Sequence, residues 1–290
     1  MIIIYDFDGT LTPYSLPQYE ILKKCGYTDK SLMNRVNEEM HKKTDESFYD
    51  AYYKCYQKIL AEKEIAMTRD NVCRGAKSIE FNNGVEEYFN KFQNSKTGIK
   101  HYIITSGIKD YVDETKIRNY VNDIYGVTFK FKNEVMEDID VLVTDKKKVD
   151  IIKSIQDKNK QTEQIIYFGD GMTDKFAFEY VHSIGGKNVF IISNDKSIAN
   201  FKILNSNGII DECFEADFGN DSKVSKYIQK QILKETNNPF DYERHRKKDI
   251  KKDITYYKKI YSKIENKFYI DGKLPEEATE DLVKFIEKLK

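Results

Sequence analysis

The stretch Asp6-Phe7-Asp8-Gly9-Thr10-Leu11-Thr12 sets two carboxylates two residues apart, directly after the apolar run Ile2-Ile3-Ile4-Tyr5. Such a β-branched and aromatic run predicts a buried strand, and the two-residue period of a strand turns Asp6 and Asp8 to one side. Like charges this close repel and raise one pKa unless a cation neutralises them. A hard divalent cation suits oxygen ligands, and Mg²⁺ is the usual one when phosphate is present. Gly9 lets the chain leave the strand sharply and brings N–H groups near a ligand. A second acidic pair lies in Gly169-Asp170-Gly171-Met172-Thr173-Asp174, behind the strand-like Gln164-Ile165-Ile166-Tyr167-Phe168. Asp170 leaves that strand and Asp174 follows one helical turn later. In a parallel sheet ligands bind outside the strand C-termini. Four carboxylates from two neighbouring strand ends (Asp6, Asp8, Asp170 and Asp174) therefore make a Mg²⁺ pocket.

Phosphoryl transfer also needs donors for the phosphoryl oxygens and a fixed positive charge. Ser106 and the N–H of Gly107, which close the run His101-Tyr102-Ile103-Ile104-Thr105, supply the donors. A lysine upstream of Asp170 supplies the charge, and Lys146, Lys147 and Lys148 are the candidates.

These residues must be held by an alternating scaffold. Strands are expected at 2–7, 101–105, 127–131, 164–168 and 188–192, with a last short one near 208–214. Helices are expected near 109–121, 148–157 and 173–182. Strands separated by helices argue for a parallel sheet covered on both faces, an α/β Rossmann-like core. Residues 14–80 instead show helical spacing, as in Phe48, Tyr52, Cys55, Tyr56 and Leu60. They read as a small helical bundle inserted between the first two strands. The aromatic residues Phe48, Tyr49, Tyr52, Tyr53 and Tyr56 are bundle core or, in the sharper reading, a cage for a cationic leaving group. From about 222 the chain turns helical and charged, with a locally basic run over Arg244–Lys252 that reads as a solvated helix face.

Composition narrows the class. At 40% hydrophobic and 13% aromatic residues the chain can build a core, and 33% charged residues predict helices with charged outer faces. Lysine plus arginine and aspartate plus glutamate balance at 48 each, so the basic excess of a nucleic-acid binder is absent. The four cysteines form no CxxC pair, which argues against a disulfide framework and a zinc site; they read as buried small residues. No run approaches the ~18 apolar residues of a membrane span, and the N-terminus lacks a basic leader. The expectation is a cytoplasmic protein with no nucleic-acid or membrane partner, as a monomer or homodimer.

The four motifs together resemble the haloacid dehalogenase-like phosphohydrolases. Asp6–Thr10 matches the family's DxDGT. Ser106-Gly107 matches its Ser or Thr closing an apolar strand. The lysine lies upstream of Gly169–Asp174, which matches GDGxxD. The resemblance spans roughly residues 1–220. It implies that Asp6 is a nucleophile forming an aspartyl-phosphate and that Asp8 is the general acid and then base. Mg²⁺ would take oxygens from Asp6, Asp170 and the carbonyl of Asp8. Asp174 would hold the lysine or a metal-bound water, and Ser106 and the lysine would hold the phosphoryl group. Lys148 is preferred, because its helix then presents Ile151 and Ile152 to the sheet; Lys147 is the alternative. Asp8 favours phosphate esters over halides, whose departure needs no proton.

The helical insertion resembles the cap of the phosphoserine-phosphatase-like branch, and the implied division is a core over 1–12 and 85–221, a cap over 13–84 and a charged helical extension over 222–290. Ser15 stands where phosphoserine phosphatases carry a cap glutamate, and no arginine falls near Tyr53–Cys55, where their substrate-gripping arginine lies. The expected activity is therefore a Mg²⁺-dependent phosphatase on a small phosphomonoester other than phosphoserine. A phosphotransferase or mutase with the same motifs, and a catalytically silent binding protein on this fold, are the alternatives.

Overall fold

The computed structural model describes residues 1–15, 21–42, 48–159 and 164–235. The chain divides into two compact units, Met1–Ser225 and Lys226–Lys290. The basic run expected over Arg244–Lys252 lies outside the described residues.

The first strand, β1 (Ile2–Tyr5), is wholly buried. Between it and the second strand come α1 (Ile21–Lys24), α2 (Asp29–Lys42), α3 (Phe48–Glu62), α4 (Arg69–Lys77), α5 (Val85–Phe92) and α6 (Asn94–Thr97). Thr68 caps α4, its hydroxyl accepting the Asn71 N–H at 3.2 Å. Next are β2 (Lys100–Ile108), α7 (Lys109–Asp113), β3 (Asp123–Lys132), β4 (Val135–Val141) and α8 (Asp145–Lys158). The chain continues through β5 (Ile165–Gly169), α9 (Lys175–Ser183), β6 (Lys187–Ile192), α10 (Asp195–Asn205), β7 (Glu212–Glu215) and α11 (Lys223–Glu235).

The seven strands form one sheet in the order β4-β3-β2-β1-β5-β6-β7. All pairs are parallel except β3 with β4. Register shows how both faces are covered. Tyr5 lies opposite Phe168, and Ile4 opposite Tyr167. Tyr5 meets Tyr88 and Phe89 of α5, while Tyr167 meets Phe178 of α9. Adjacent residues of a strand face opposite ways, so α5 and α9 cover opposite faces. The strand order reverses between β1 and its neighbours β2 and β5, which places the ends of these three strands at the switch point where an open α/β sheet leaves a crevice.

Helices α5, α6 and α10 lie where no element is expected, and two further elements differ from expectation. The helix expected over 109–121 stops at Asp113 and resumes as a 3₁₀ turn over Lys116–Tyr120. Thr115 breaks it by hydrogen bonding the Val112 carbonyl at 2.7 Å, in competition with the helical ladder. Strand β4 was not expected at all. It pairs back on β3 through Asn133 and Glu134, both at positive φ (49° and 65°). That is the backbone of a tight hairpin turn, formed here without glycine.

A buried polar chain backs β1. The His101 Nε2–H must donate to the Phe92 carbonyl (2.8 Å), since a carbonyl only accepts. Nδ1 therefore accepts from the Tyr5 hydroxyl (3.0 Å), and Tyr88 O–H donates to the Tyr5 oxygen (2.8 Å). Burial holds the His101 pKa down at about 4 from 6.5. Below pH 6.5 the unfolded chain takes up a proton that the folded chain refuses, so this histidine's contribution is lost as pH falls from 6.5 towards 4. The expected loss is about 3 kcal/mol. Urea unfolding of wild type and His101→Gln at pH 7 and pH 4 checks it, through a gap between the two that shrinks by that amount.

Candidate active site

Strand β1 hands the chain to Asp6, whose N–H donates to the Phe168 carbonyl at 2.8 Å and so extends the ladder to β5. The Phe7 carbonyl then gathers the N–H groups of Leu11 (2.9 Å), Thr12 (3.2 Å) and Thr10 (3.3 Å) into a tight turn. Gly9 within it has φ +83°, and a Cβ there would fall 2.3 Å from Asp170 Oδ2. Glycine is required twice, for the left-handed backbone and for the close approach to the second acidic loop. At Gly169, the end of β5, the close approach alone recurs: a Cβ would fall 2.5 Å from Asp174 Oδ2.

The two loops bring Asp6, Asp170 and Asp174 together, each offering a carboxylate oxygen within 4.8 Å of the others. Lys148 joins them from the first turns of α8. Its Nζ lies 3.0 Å from Asp6 Oδ1 and 2.7 Å from Asp174 Oδ1, and the side chain is 1% exposed. Asp174 Oδ1 also accepts the Tyr167 hydroxyl at 2.7 Å. Its Oδ2 accepts the N–H groups of Asp170 (3.2 Å) and Gly171 (3.3 Å). These four hydrogen bonds fill the roughly four lone-pair positions of a carboxylate. Asp174 is thus committed to holding Lys148 and the Asp170 loop.

The other candidates scatter as follows. Asp8 is half-buried and accepts the Thr105 hydroxyl on Oδ2 at 3.1 Å. Asp170 takes a long contact from Thr10 Oγ1 at 3.5 Å. The Ser106 hydroxyl is buried with no hydrogen-bond partner among the described residues. The Gly107 N–H, expected to face a ligand, donates instead to Thr105 Oγ1 at 2.8 Å, because a hydroxyl two residues back sits where it can cap that N–H. Lys147 is exposed, 3.7 Å from Asp150, and Lys146 lies over the Phe176 ring, so neither approaches Asp6 as Lys148 does. Cys25, Cys55 and Cys213 are buried, whereas Cys73 is only half-buried.

The aromatic residues of α3 do not form an open cage. Tyr53 and Tyr56 are buried, while Phe48, Tyr49 and Tyr52 are half-buried. Tyr53 packs edge-on against Tyr52 and Phe129, and its hydroxyl donates to the Ser106 carbonyl at 2.6 Å. Tyr49 hydrogen bonds Asp145 at the start of α8. Helix α3 therefore reaches the end region of β2 and the start of α8 through tyrosines one turn apart. Thr105 and Tyr167 had no signal in the sequence beyond being polar residues inside apolar strands.

The electrostatics favour a cation. Burial first, and then the Asp174 charge, push Asp6 well above the carboxylate range, with Lys148 pulling the other way. The same two causes push Asp170 up to about 8. Burial alone would depress Lys148, but Asp174 and Asp6 outweigh it and hold the ammonium charged. When ionised, the four carboxylates outnumber the one ammonium, and the donor atoms are all hard oxygens. A Mg²⁺ ion fits that set.

A buried acidic cluster paired with a lysine thus sits at the switch point of a Rossmann-like sheet. No curated protein matches the sequence. Among solved structures, a phospho-aspartyl intermediate analogue of phosphoserine phosphatase is similar, with 18% identity, TM-score 0.54, and coverage of 79% of this chain and 97% of that one. A gene product of Archaeoglobus fulgidus is similar at 12% identity and TM-score 0.59, covering 80% and 83%. A phosphoserine phosphatase of T. onnurineus aligns at 14% identity and TM-score 0.52, covering 79% and 94%. At such identities the likeness is one of fold. The family model for haloacid dehalogenase-like hydrolases matches residues 3–179, from β1 to the middle of α9, and so takes in both acidic loops, Ser106 and Lys148. The chain belongs to the haloacid dehalogenase-like hydrolase family.

Proposed function

We propose that the protein is a Mg²⁺-dependent phosphatase that hydrolyses a small phosphomonoester through an aspartyl-phosphate on Asp6. The observation that carries this reading is the buried ion pair of Asp6 with Lys148, set in one acidic cluster with Asp170 and Asp174 at the sheet switch point. Asp6 presents a carboxylate oxygen for in-line attack, while Lys148 fixes its orientation and offers charge to a phosphoryl oxygen. Asp8 gives its proton to the leaving oxygen, then takes one from the attacking water. The unpartnered Ser106 hydroxyl donates to the phosphoryl group. Asp6, Asp170 and the Asp8 carbonyl would hold Mg²⁺, which supplies charge neutralisation for the dianionic phosphate. Asp174 keeps Lys148 and the Asp170 loop in place.

Residues 13–84 serve as the cap over this centre, and two features support that role. Tyr53 and Tyr49 tie α3 to the rim, and the hairpin side of the core meets the same insertion through the Met136 N–H to Met67 carbonyl bond of 2.9 Å. Each of the three arginines of the insertion has an acidic partner. Arg35 pairs with Glu62 and Tyr27, Arg69 with Glu134 and the Phe131 ring, and Arg74 with Asp70 and Asn71. None falls at Tyr53–Cys55, where the substrate-gripping arginine of phosphoserine phosphatases would lie, and this supports an ester other than phosphoserine.

A panel of phosphocholine, phosphoethanolamine, sugar phosphates, nucleotides and phosphoserine, assayed for phosphate release with and without Mg²⁺, tests the reading. Release that needs Mg²⁺, with phosphoserine among the poorer esters, is the expected outcome. No release from any ester by folded protein that binds Mg²⁺ would overturn it.

A further inference from the structure

Thr105 is fully buried at the end of β2, one residue before Ser106. Its hydroxyl accepts the Gly107 N–H at 2.8 Å and lies 3.1 Å from Asp8 Oδ2. A hydroxyl owns one hydrogen and two lone pairs, and a backbone N–H only donates. Gly107 therefore occupies a lone pair, and the Thr105 hydrogen is left to turn onto Asp8. The chain runs one way, from Gly107 N–H to the Thr105 hydroxyl to the Asp8 carboxylate. Tyr53 steadies the same strand end from α3 by its bond to the Ser106 carbonyl.

We propose that Thr105 is a positioning residue for proton transfer: by holding Oδ2 it fixes the orientation of the Asp8 carboxyl for the leaving-group oxygen. This rests on the reading of Asp8 as the proton donor. In that step the Asp8 O–H bond breaks as the leaving oxygen takes the proton, and the ester P–O bond breaks as the bond from Asp6 to phosphorus forms. Thr105 keeps its own proton throughout. Its hydrogen bond strengthens as Asp8 becomes a carboxylate, because charge-assisted bonds are the stronger ones. The contact is worth more in the transition state than in the ground state, which is the condition for raising a rate.

The test compares kcat/KM on an alkyl phosphomonoester, whose alkoxide must be protonated to leave, with that on p-nitrophenyl phosphate, whose phenolate need not be. Thr105→Val is expected to lose about tenfold or more on the alkyl ester and less than about threefold on the nitrophenyl ester, the former being the loss of one hydrogen bond to a charged group. Thr105→Ser is expected to restore the alkyl ester to within about threefold of wild type. Should the valine variant not fold, the ratio between Thr105→Ser and Thr105→Ala is read instead. Equal losses on both esters, or no rescue by serine, would overturn the positioning role. A wild type silent on every ester would fell the phosphatase reading itself, and this role with it.

Discussion

Asp6→Asn is expected to abolish phosphate release, lowering kcat by at least about 10³-fold, as removal of a covalent nucleophile does. The same substitution is expected to leave the fold intact. Burial and the Asp174 charge push the Asp6 pKa well above the carboxylate range while Lys148 pulls it down, so removing the Asp6 charge relieves a desolvation cost as it gives up part of the pair with Lys148. Asparagine has the shape of aspartate. The amide keeps an oxygen for the Lys148 ammonium, which retains Asp174 at 2.7 Å. The unfolding free energy in EDTA should therefore stay within about 1 kcal/mol of wild type. Chemical denaturation beside the release assay checks both halves. A variant that loses activity only because it unfolds would refute the assignment of Asp6 as a nucleophile held ready by Lys148.

Lys148→Met is expected to fail in the opposite manner, losing stability as well as activity. Methionine fits the volume and leaves no charge. Asp6 and Asp174 then face each other in a buried site with nothing between them, at side-chain exposures of 6% and 0%. Breaking a buried pair by removing one partner typically costs about 3–5 kcal/mol. Asp174 would also lose one of its four hydrogen bonds, loosening the loop that carries Asp170. Denaturant midpoints in EDTA should drop accordingly, and Mg²⁺ should recover part of the loss by supplying the missing charge. Wild-type stability in Lys148→Met would show that the ammonium does not hold the acidic cluster.

How much of this was legible in the sequence depends on how local the signal is. The DxDGT and GDGxxD loops stand out because an apolar strand, an acid pair and glycines lie within a few residues, and at Gly9 and Gly169 an added Cβ would fall only 2.3 and 2.5 Å from an aspartate oxygen. Helix phase separates the lysines of the run. Lys148 shares the buried stripe of Ile151, Ile152 and Ile155, while Lys146 and Lys147 lie outside it. By contrast, Thr105 and Tyr167 acquire their roles from which strand ends beside which, which no local pattern encodes. The Gly107 N–H is instead taken by a local partner, the Thr105 hydroxyl two residues back. Strand β4 escaped notice because its acids and apolar residues sit on a half-exposed edge, and its turn uses Asn133 and Glu134 rather than glycine.

The most direct test of the central claim is to quench the protein with acid during turnover of a phosphomonoester and map the peptides by mass spectrometry. A phosphoryl group on Asp6, absent from Asp6→Asn, is the predicted result. Steady turnover with no phosphoryl group on Asp6, accompanied by phosphate release that survives Asp6→Asn, would contradict it.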